Sequence, residues 1–285
     1  MRNSRIRFKK RYVAIVVLLA YVVFCQSCMM MRFTPDETRE FFTQTKVPYR
    51  DLRLVSDGHN IHYVETGDPN KPTLFFIHGS PGSWDAYRQY LSDSILLRKY
   101  RMIAVDRPGF GYSDFRDYGN LERNAQLLCD LAKKIRNGKP VTLVGHSLGG
   151  PIIIEMAADH PELFDKLVIL AGSVDPNQEG NANWRKVVKA PPIRYLVPGA
   201  MRTSNDELTN LKKDLILLQP RIRSISADVV IIHGTEDPLV PFGNVAFLKK
   251  EFVNASSMKV IPIEGANHFI PWEHYRLIRD ELVLD

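Results

Sequence analysis

Val141-Thr142-Leu143-Val144-Gly145-His146-Ser147-Leu148-Gly149-Gly150 is the stretch on which the reading of this chain turns. Its first four residues are β-branched or apolar, as a buried strand requires. G-x-S-x-G follows, and Leu148–Asp159 then carries a helical pattern that His160-Pro161 stops. A strand, a serine on a tight turn and a helix together have a steric purpose. The turn lifts the Ser147 hydroxyl above the sheet, and the flanking glycines let neighbouring backbone pass close by. The helix N-terminus adds unpaired N–H groups and a positive dipole end, which favour developing negative charge.

Working outward, the same strand–helix rhythm recurs on both sides. Thr73–Ile77, Met102–Val105, Lys166–Leu170, Val229–Ile232 and Lys259–Ile263 are short apolar runs without alternation, which predicts strands covered on both faces, as in a mostly parallel sheet. Asp51–Ser56 and Ile61–Glu65 read as a hairpin around Asp57-Gly58-His59-Asn60. Leu121, Leu128, Leu131, Ala132 and Ile135 share one helix face, ended by Gly138, and Tyr275–Leu282 belongs to a last helix. Thr34-Pro35-Asp36-Glu37 reads as a capped helix start. The fold class is therefore α/β, with helices on both faces of the sheet. Ser173–Asp228 breaks the rhythm: it holds Trp184, Pro191-Pro192, Pro198 and a helical pattern over Asp206–Leu218, and it reads as a small helical lid. The expected organisation is an N-terminal segment (1–31), a first core part (32–172), the lid (173–228) and a second core part (229–285).

A serine hydroxyl is a poor nucleophile until a base takes its proton, so an imidazole and a carboxylate must accompany Ser147. His268 lies in Gly265-Ala266-Asn267-His268-Phe269, directly after the last strand pattern. Asp237 lies in His233-Gly234-Thr235-Glu236-Asp237-Pro238, directly after the preceding one. Both then sit at strand C-terminal ends, where ligands bind in parallel sheets. Glu236 is the rival carboxylate and His274 the rival base. An oxyanion needs two donors: the N–H of Leu148, just after the nucleophile, and the N–H of Ser80 in His78-Gly79-Ser80-Pro81-Gly82. Trp84, Trp184, Tyr195, Leu196 and Leu215 are expected to shape a substrate pocket. No H-E-x-x-H and no Cys/His ligand cluster occurs, so neither a metal nor another cofactor is expected.

With these residues in hand, the chain from about Val47 onward resembles the α/β-hydrolase superfamily. Asp106-Arg107-Pro108-Gly109-Phe110-Gly111-Tyr112-Ser113 is similar to a loop of its epoxide hydrolase, haloalkane dehalogenase and C–C hydrolase branch. The resemblance implies an eight-stranded core with 173–228 as the lid over the site. One departure matters: epoxide hydrolases and dehalogenases carry Asp as nucleophile, whereas position 147 is Ser. An acyl-enzyme route on a small-molecule carboxylic ester is the expectation. A C–C bond hydrolase on the same triad is the alternative. An aminopeptidase like the proline iminopeptidases usually reads HGGPG where this chain has Ser80. A binding protein that kept the fold without turnover is a further alternative.

Composition bounds the rest. The 285 residues are 45% hydrophobic with a net charge of +6, and Arg2, Arg5, Arg7, Lys9, Lys10 and Arg11 supply six positive charges before any acid. The remainder is near neutral and carries no footprint for nucleic acid. Those charges precede the apolar run Tyr12–Phe24, and no charged residue follows until Arg32. A basic segment before a short apolar core is an export signal. It leads either to a single-pass anchor over Tyr12–Met31 or to lipidation of Cys28, since Ser27-Cys28 resembles the end of a bacterial lipoprotein signal. Both place the body outside the cytoplasmic membrane and tethered to it. Residues 174–225 hold nine Lys/Arg against five Asp/Glu, an excess that would suit an anionic surface or acidic substrates. The sequence carries no signal of oligomeric state.

Overall fold

The apolar runs become strands of one sheet in a computed structural model that describes residues 9–27, 30–115, 120–180 and 183–284. In chain order they are β1 (Tyr49–Ser56), β2 (His59–Gly67), β3 (Thr73–Ile77), β4 (Arg101–Val105), β5 (Val141–His146), β6 (Lys166–Leu170), β7 (Asp228–Gly234) and β8 (Met258–Ile263). Their spatial order is β1-β2-β4-β3-β5-β6-β7-β8. β1 and β2 pair antiparallel, as do β2 and β4, and every pairing from β4 through β8 is parallel.

The unbroken hydrophobicity of the inner strands has the cause read from the sequence. β3 and β4 are buried at every position, so neither side of the pleat faces water. Alternate residues feed two cores. Phe75, Ile77, Leu143, Ile169 and Ile231 point to one, where the helices Leu121–Ile135, Gly149–Asp159 and Gly243–Glu251 pack. Leu74, Phe76, Val144, Val168 and Ile232 point to the other, closed by Trp84–Leu96 and by Ile278 and Leu282 of the last helix. A one-residue slip in any central strand would exchange these two sets, which fixes the register.

Between β6 and β7 the chain forms only helices among the described residues: Asn183–Lys189, Ile193–Leu196 and Gly199–Ile222. The third is longer than the pattern over Asp206–Leu218 suggested. Thr203, Ser204 and Asn205, which precede that pattern, are buried within the helix, which starts after Pro198. Its Leu211, Leu215, Leu218 and Ile222 join the first core and seat the insertion on the body.

The N-terminal basic-apolar segment forms a helix, Lys10–Ser27, whose side chains from Tyr12 to Phe24 are largely exposed. It touches the insertion through the Tyr21 hydroxyl, which donates to the Leu196 carbonyl at 3.0 Å. Among the described residues no helix is long and apolar enough to cross a membrane. Cys28 lies outside the described residues. After this segment Thr34 caps the helix Pro35–Thr45, with Glu37 returning the bond to the Thr34 N–H at 2.7 Å.

The tightest backbone passage lies where β5 turns into the helix Gly149–Asp159. A Cβ on Gly149 would run into the Ile77 carbonyl oxygen, and one on Gly145 into the Gly149 carbonyl oxygen. Neither obstacle is a flexible side chain, so the sheet itself would have to move. Gly149→Ala is therefore expected to lower stability by about 2 kcal/mol or more. A urea melt with an unchanged midpoint would contradict this account of the turn.

Candidate active site

Ser147 stands at the end of β5 with φ +54°, a left-handed conformation that costs a non-glycine residue about 1–3 kcal/mol and persists only where surrounding structure holds it. Here the Ser147 N–H donates to the Leu170 carbonyl at 2.9 Å, and the Ser147 carbonyl accepts from Gly150 N–H at 2.9 Å and Ser173 N–H at 3.3 Å. The turn is thus pinned to β6 on one side and to its own helix on the other. Gly79 passes so near that a Cβ there would lie 2.9 Å from the Ser147 Cβ.

The loop after β8 brings His268 to the same place, and the loop after β7 brings Asp237. His268 Nδ1 lies 2.7 Å from Asp237 Oδ2, and Asp237 Oδ1 accepts from the N–H groups of Leu239 and Val240 at 2.8 Å each. Burial alone would raise the Asp237 carboxyl, but the His268 hydrogen bond and the two N–H donors hold it below the usual carboxylate range. An ionised Asp237 accepting from Nδ1–H leaves His268 Nε2 free to act as a base. Glu236, the rival carboxylate, is exposed, while Asp237 is buried. His274 lies outside the cavity that Ser147 and His268 share.

That cavity, about 850 Å³, is lined by Ser147, Leu148 and His268 together with Ser80. Leu148 opens the helix Gly149–Asp159, so its N–H belongs to the group that has no acceptor within the helix. Ser80 follows β3 across the cavity, and its buried hydroxyl has no partner among the described residues. Ser147, His268, Ser80 and Leu148 therefore line one space, and Asp237 meets it through His268. No group of three or more His, Cys, Asp or Glu that could hold a metal is present among the described residues.

The pocket residues expected from the sequence are not those that line it. Trp84 is 1% exposed and belongs to the second core, stacked on Phe42 at 5.8 Å and edge-on to Phe33 at 6.1 Å. The short turn Trp84–Tyr87 directs it inward, and its N–H donates to Asp106. Trp184 and Tyr195 are 59% and 52% exposed, because the short helices that carry them turn those faces outward. Leu215 packs in the first core, and Leu196 is on the surface beside Tyr21. The apolar lining comes instead from Met31, Phe33, Met201, Leu211, Phe269 and Trp272. Of these, Met31 and Phe33 follow directly on the N-terminal helix. Their only sequence signal is Phe33 immediately before the Thr34 cap, an apolar position that often packs back on its helix.

His146, inside the G-H-S-L-G turn, is a further site residue that linear reading left unassigned. Its Nε2–H donates to the His268 carbonyl at 3.0 Å and ties the turn at Ser147 to the loop that carries His268. Complete burial, then repulsion from His268, pushes its pKa down to about 3. Burial lowers His78 and His233 as well.

The comparisons with known proteins agree with this architecture. A family model described as alpha/beta hydrolase fold matches residues 72–195. The uncharacterized hydrolase YugF of Bacillus subtilis (strain 168) is 36% identical over 126 residues, which cover 42% of this chain and 44% of that protein. The chain thus spans less than half the length of that relative. A 2-hydroxy-6-oxononadienedioate/2-hydroxy-6-oxononatrienedioate hydrolase of Burkholderia vietnamiensis is 27% identical over 266 residues, 78% of this chain and 90% of that one. Among solved structures, a membrane phospholipase A described as a bacterial virulence factor superposes with a TM-score of 0.64 at 19% identity. That match covers 97% of this chain and 100% of the other.

The buried histidine next to Ser147 has a consequence for stability. In the native state His146 stays neutral down to about pH 3, whereas in the unfolded chain it gains a proton near pH 6.5. Between those values the unfolded state binds the extra proton, so stability falls as pH is lowered, by up to about 1.4 kcal/mol per pH unit for one such group. Urea midpoints from pH 7 to pH 4 should therefore fall less steeply for His146→Gln than for the wild type. Parallel profiles would show that His146 is not held neutral.

Proposed function

From a chain that belongs to the α/β-hydrolase superfamily, we propose a serine hydrolase that cleaves a carboxylic ester through an acyl-enzyme. The observation that carries this reading is the 2.7 Å contact of His268 Nδ1 with Asp237 in a buried site whose cavity also exposes Ser147. His268 Nε2 takes the proton of Ser147 as Oγ attacks the acyl carbon, and Asp237 balances the imidazolium. The N–H groups of Ser80 and Leu148 receive the oxyanion. Collapse returns the proton to the departing alkoxide and leaves an ester on Ser147. Water, activated by the same imidazole, then displaces Ser147 and releases the acid.

A mostly apolar lining at the inner cavity suits an acyl chain, while its charged lining sets Arg32, Arg88 and Arg185 beside Glu37, Asp85 and Glu179. A second reading, cleavage of a C–C bond in a vinylogous diketone by the same triad, is favoured by likeness along 78% of the chain to the Burkholderia vietnamiensis hydrolase. A p-nitrophenyl ester series from acetate to palmitate, run beside Ser147→Ala, separates the two. Ester turnover that drops about 10⁴-fold or more in the variant is the expected result. Labelling of Ser147 by a fluorophosphonate without turnover of any ester would transfer the proposal to the diketone, and neither labelling nor turnover would overturn both.

The N-terminal segment supports a tether. Six basic residues precede Tyr12–Phe24, and that helix keeps its apolar side chains exposed while contacting the insertion beside the site. The protein is expected in the membrane fraction, with residues 32–285 on the outer side. Deletion of residues 1–31 should release it, and metabolic labelling with an alkyne fatty acid that Cys28→Ala abolishes would assign the tether to lipid. Recovery of the full chain in the soluble fraction would refute the tether.

A further inference from the structure

Arg107 is fully buried, and each of its five side-chain donors faces an acceptor. Nε donates to the His78 carbonyl at 3.0 Å and Nη2 to the Gly79 carbonyl at 3.0 Å. Nη1 and Nη2 each donate to one oxygen of Glu207 at 2.9 Å, and Nη1 reaches Asn124 Oδ1 at 3.5 Å. His78 and Gly79 belong to the loop that ends in Ser80, whereas Glu207 belongs to the insertion helix Gly199–Ile222. A second set of bonds grips the same loop. The Arg107 N–H donates to His78 Nε2 at 3.0 Å, which leaves the proton on Nδ1, and Nδ1 in turn donates to the Gly79 carbonyl at 2.7 Å. Burial and the neighbouring Arg107 charge hold that imidazole neutral.

The consequence follows from peptide planarity. The Gly79 C=O and the Ser80 N–H belong to one trans amide, so they point in opposite directions. Two donors holding the Gly79 oxygen from the Arg107 side aim the Ser80 N–H away from Arg107, and Ser80 lines the cavity. The guanidinium can keep that position, unhydrated, only while a carboxylate neutralises it, and Glu207 is the carboxylate whose two oxygens meet it.

We propose that Glu207, through Arg107, is a positioning residue of the oxyanion loop, so that seating of the insertion helix sets the aim of the Ser80 N–H. This rests on the serine hydrolase reading above. Neither Glu207 nor Arg107 touches the reacting atoms. Their effect is on the transition state, where charge develops on the acyl oxygen, and not on the ground-state fit of the substrate.

The test uses the full chain in detergent. Wild-type ester turnover that Ser147→Ala abolishes establishes the underlying reading by itself, and its absence would defeat that reading before Glu207 is considered. Given that turnover, Glu207→Gln is expected to lower kcat about 10²-fold with KM little changed. Affinity for a trifluoromethyl ketone, which binds as an oxyanionic adduct on Ser147, should fall in the same proportion, while affinity for an unreactive ether analogue of the ester should hold. Arg107→Met/Glu207→Leu replaces the pair by apolar groups and keeps the question answerable if the single variant does not fold. It should melt near the wild type and show the same loss of kcat. Wild-type kcat in either folded variant, or a rise in KM with kcat intact, would overturn the proposal and leave the pair a purely structural brace.

Discussion

Close passage of backbone at the turn out of β5 is the constraint from which the site follows. Gly145 and Gly149 leave no room for a Cβ against the Gly149 and Ile77 carbonyls. Ser147 between them is held at φ +54° by bonds to Leu170, Gly150 and Ser173. Each of those partners lies on a different piece of chain, so the strain at one residue is distributed over β6, the elbow helix and the start of the insertion. That arrangement projects one hydroxyl above the sheet and keeps the first N–H groups of the helix directly behind it.

Around this turn the polar groups are buried and matched in a graded way. Asp237 keeps its charge because three donors meet it. Glu207 and two loop carbonyls surround the Arg107 guanidinium. His78 and His146 lose their charge to burial, which the carbonyl that each ring meets does not offset. A neutral donor binds a carbonyl without adding a cation beside the site, so the geometry of the His78 and His268 loops stays independent of proton binding at those two rings over the range where an ester hydrolase would work. The charges present are set at the distances where they orient other groups.

Much of this was legible in the sequence because it is written in local patterns. β3 and β6 coincide with the runs over Thr73–Ile77 and Lys166–Leu170, since a strand buried on both faces is apolar at nearly every position past its first residue. Ser147, Asp237 and His268 each follow a strand pattern directly, so their convergence at one edge of a parallel sheet could be inferred without coordinates. The pocket could not. Trp84, Trp184 and Tyr195 were plausible as large apolar residues near the site, but a side chain's direction depends on the turn of a short helix, which composition does not encode. Met31 and Phe33 enter the cavity from a segment whose local pattern speaks only of a helix cap. The Arg107–Glu207 pair joins residues 100 positions apart, and no periodicity reports on such a contact.

The insertion that interrupts the sheet divides the machinery unevenly. Ser80, Arg107, Ser147 and Leu148 precede it, and Asp237 and His268 follow it. Yet the two parts are joined by the full parallel ladder of β6 with β7, from Lys166–Asp228 to Leu170–Ile232, and not only by the surface stretch around Ile193–Leu196. A cut in that stretch would leave every hydrogen bond of the β6–β7 ladder in place, so the two halves of the sheet are held by backbone pairing as well as by the connecting chain.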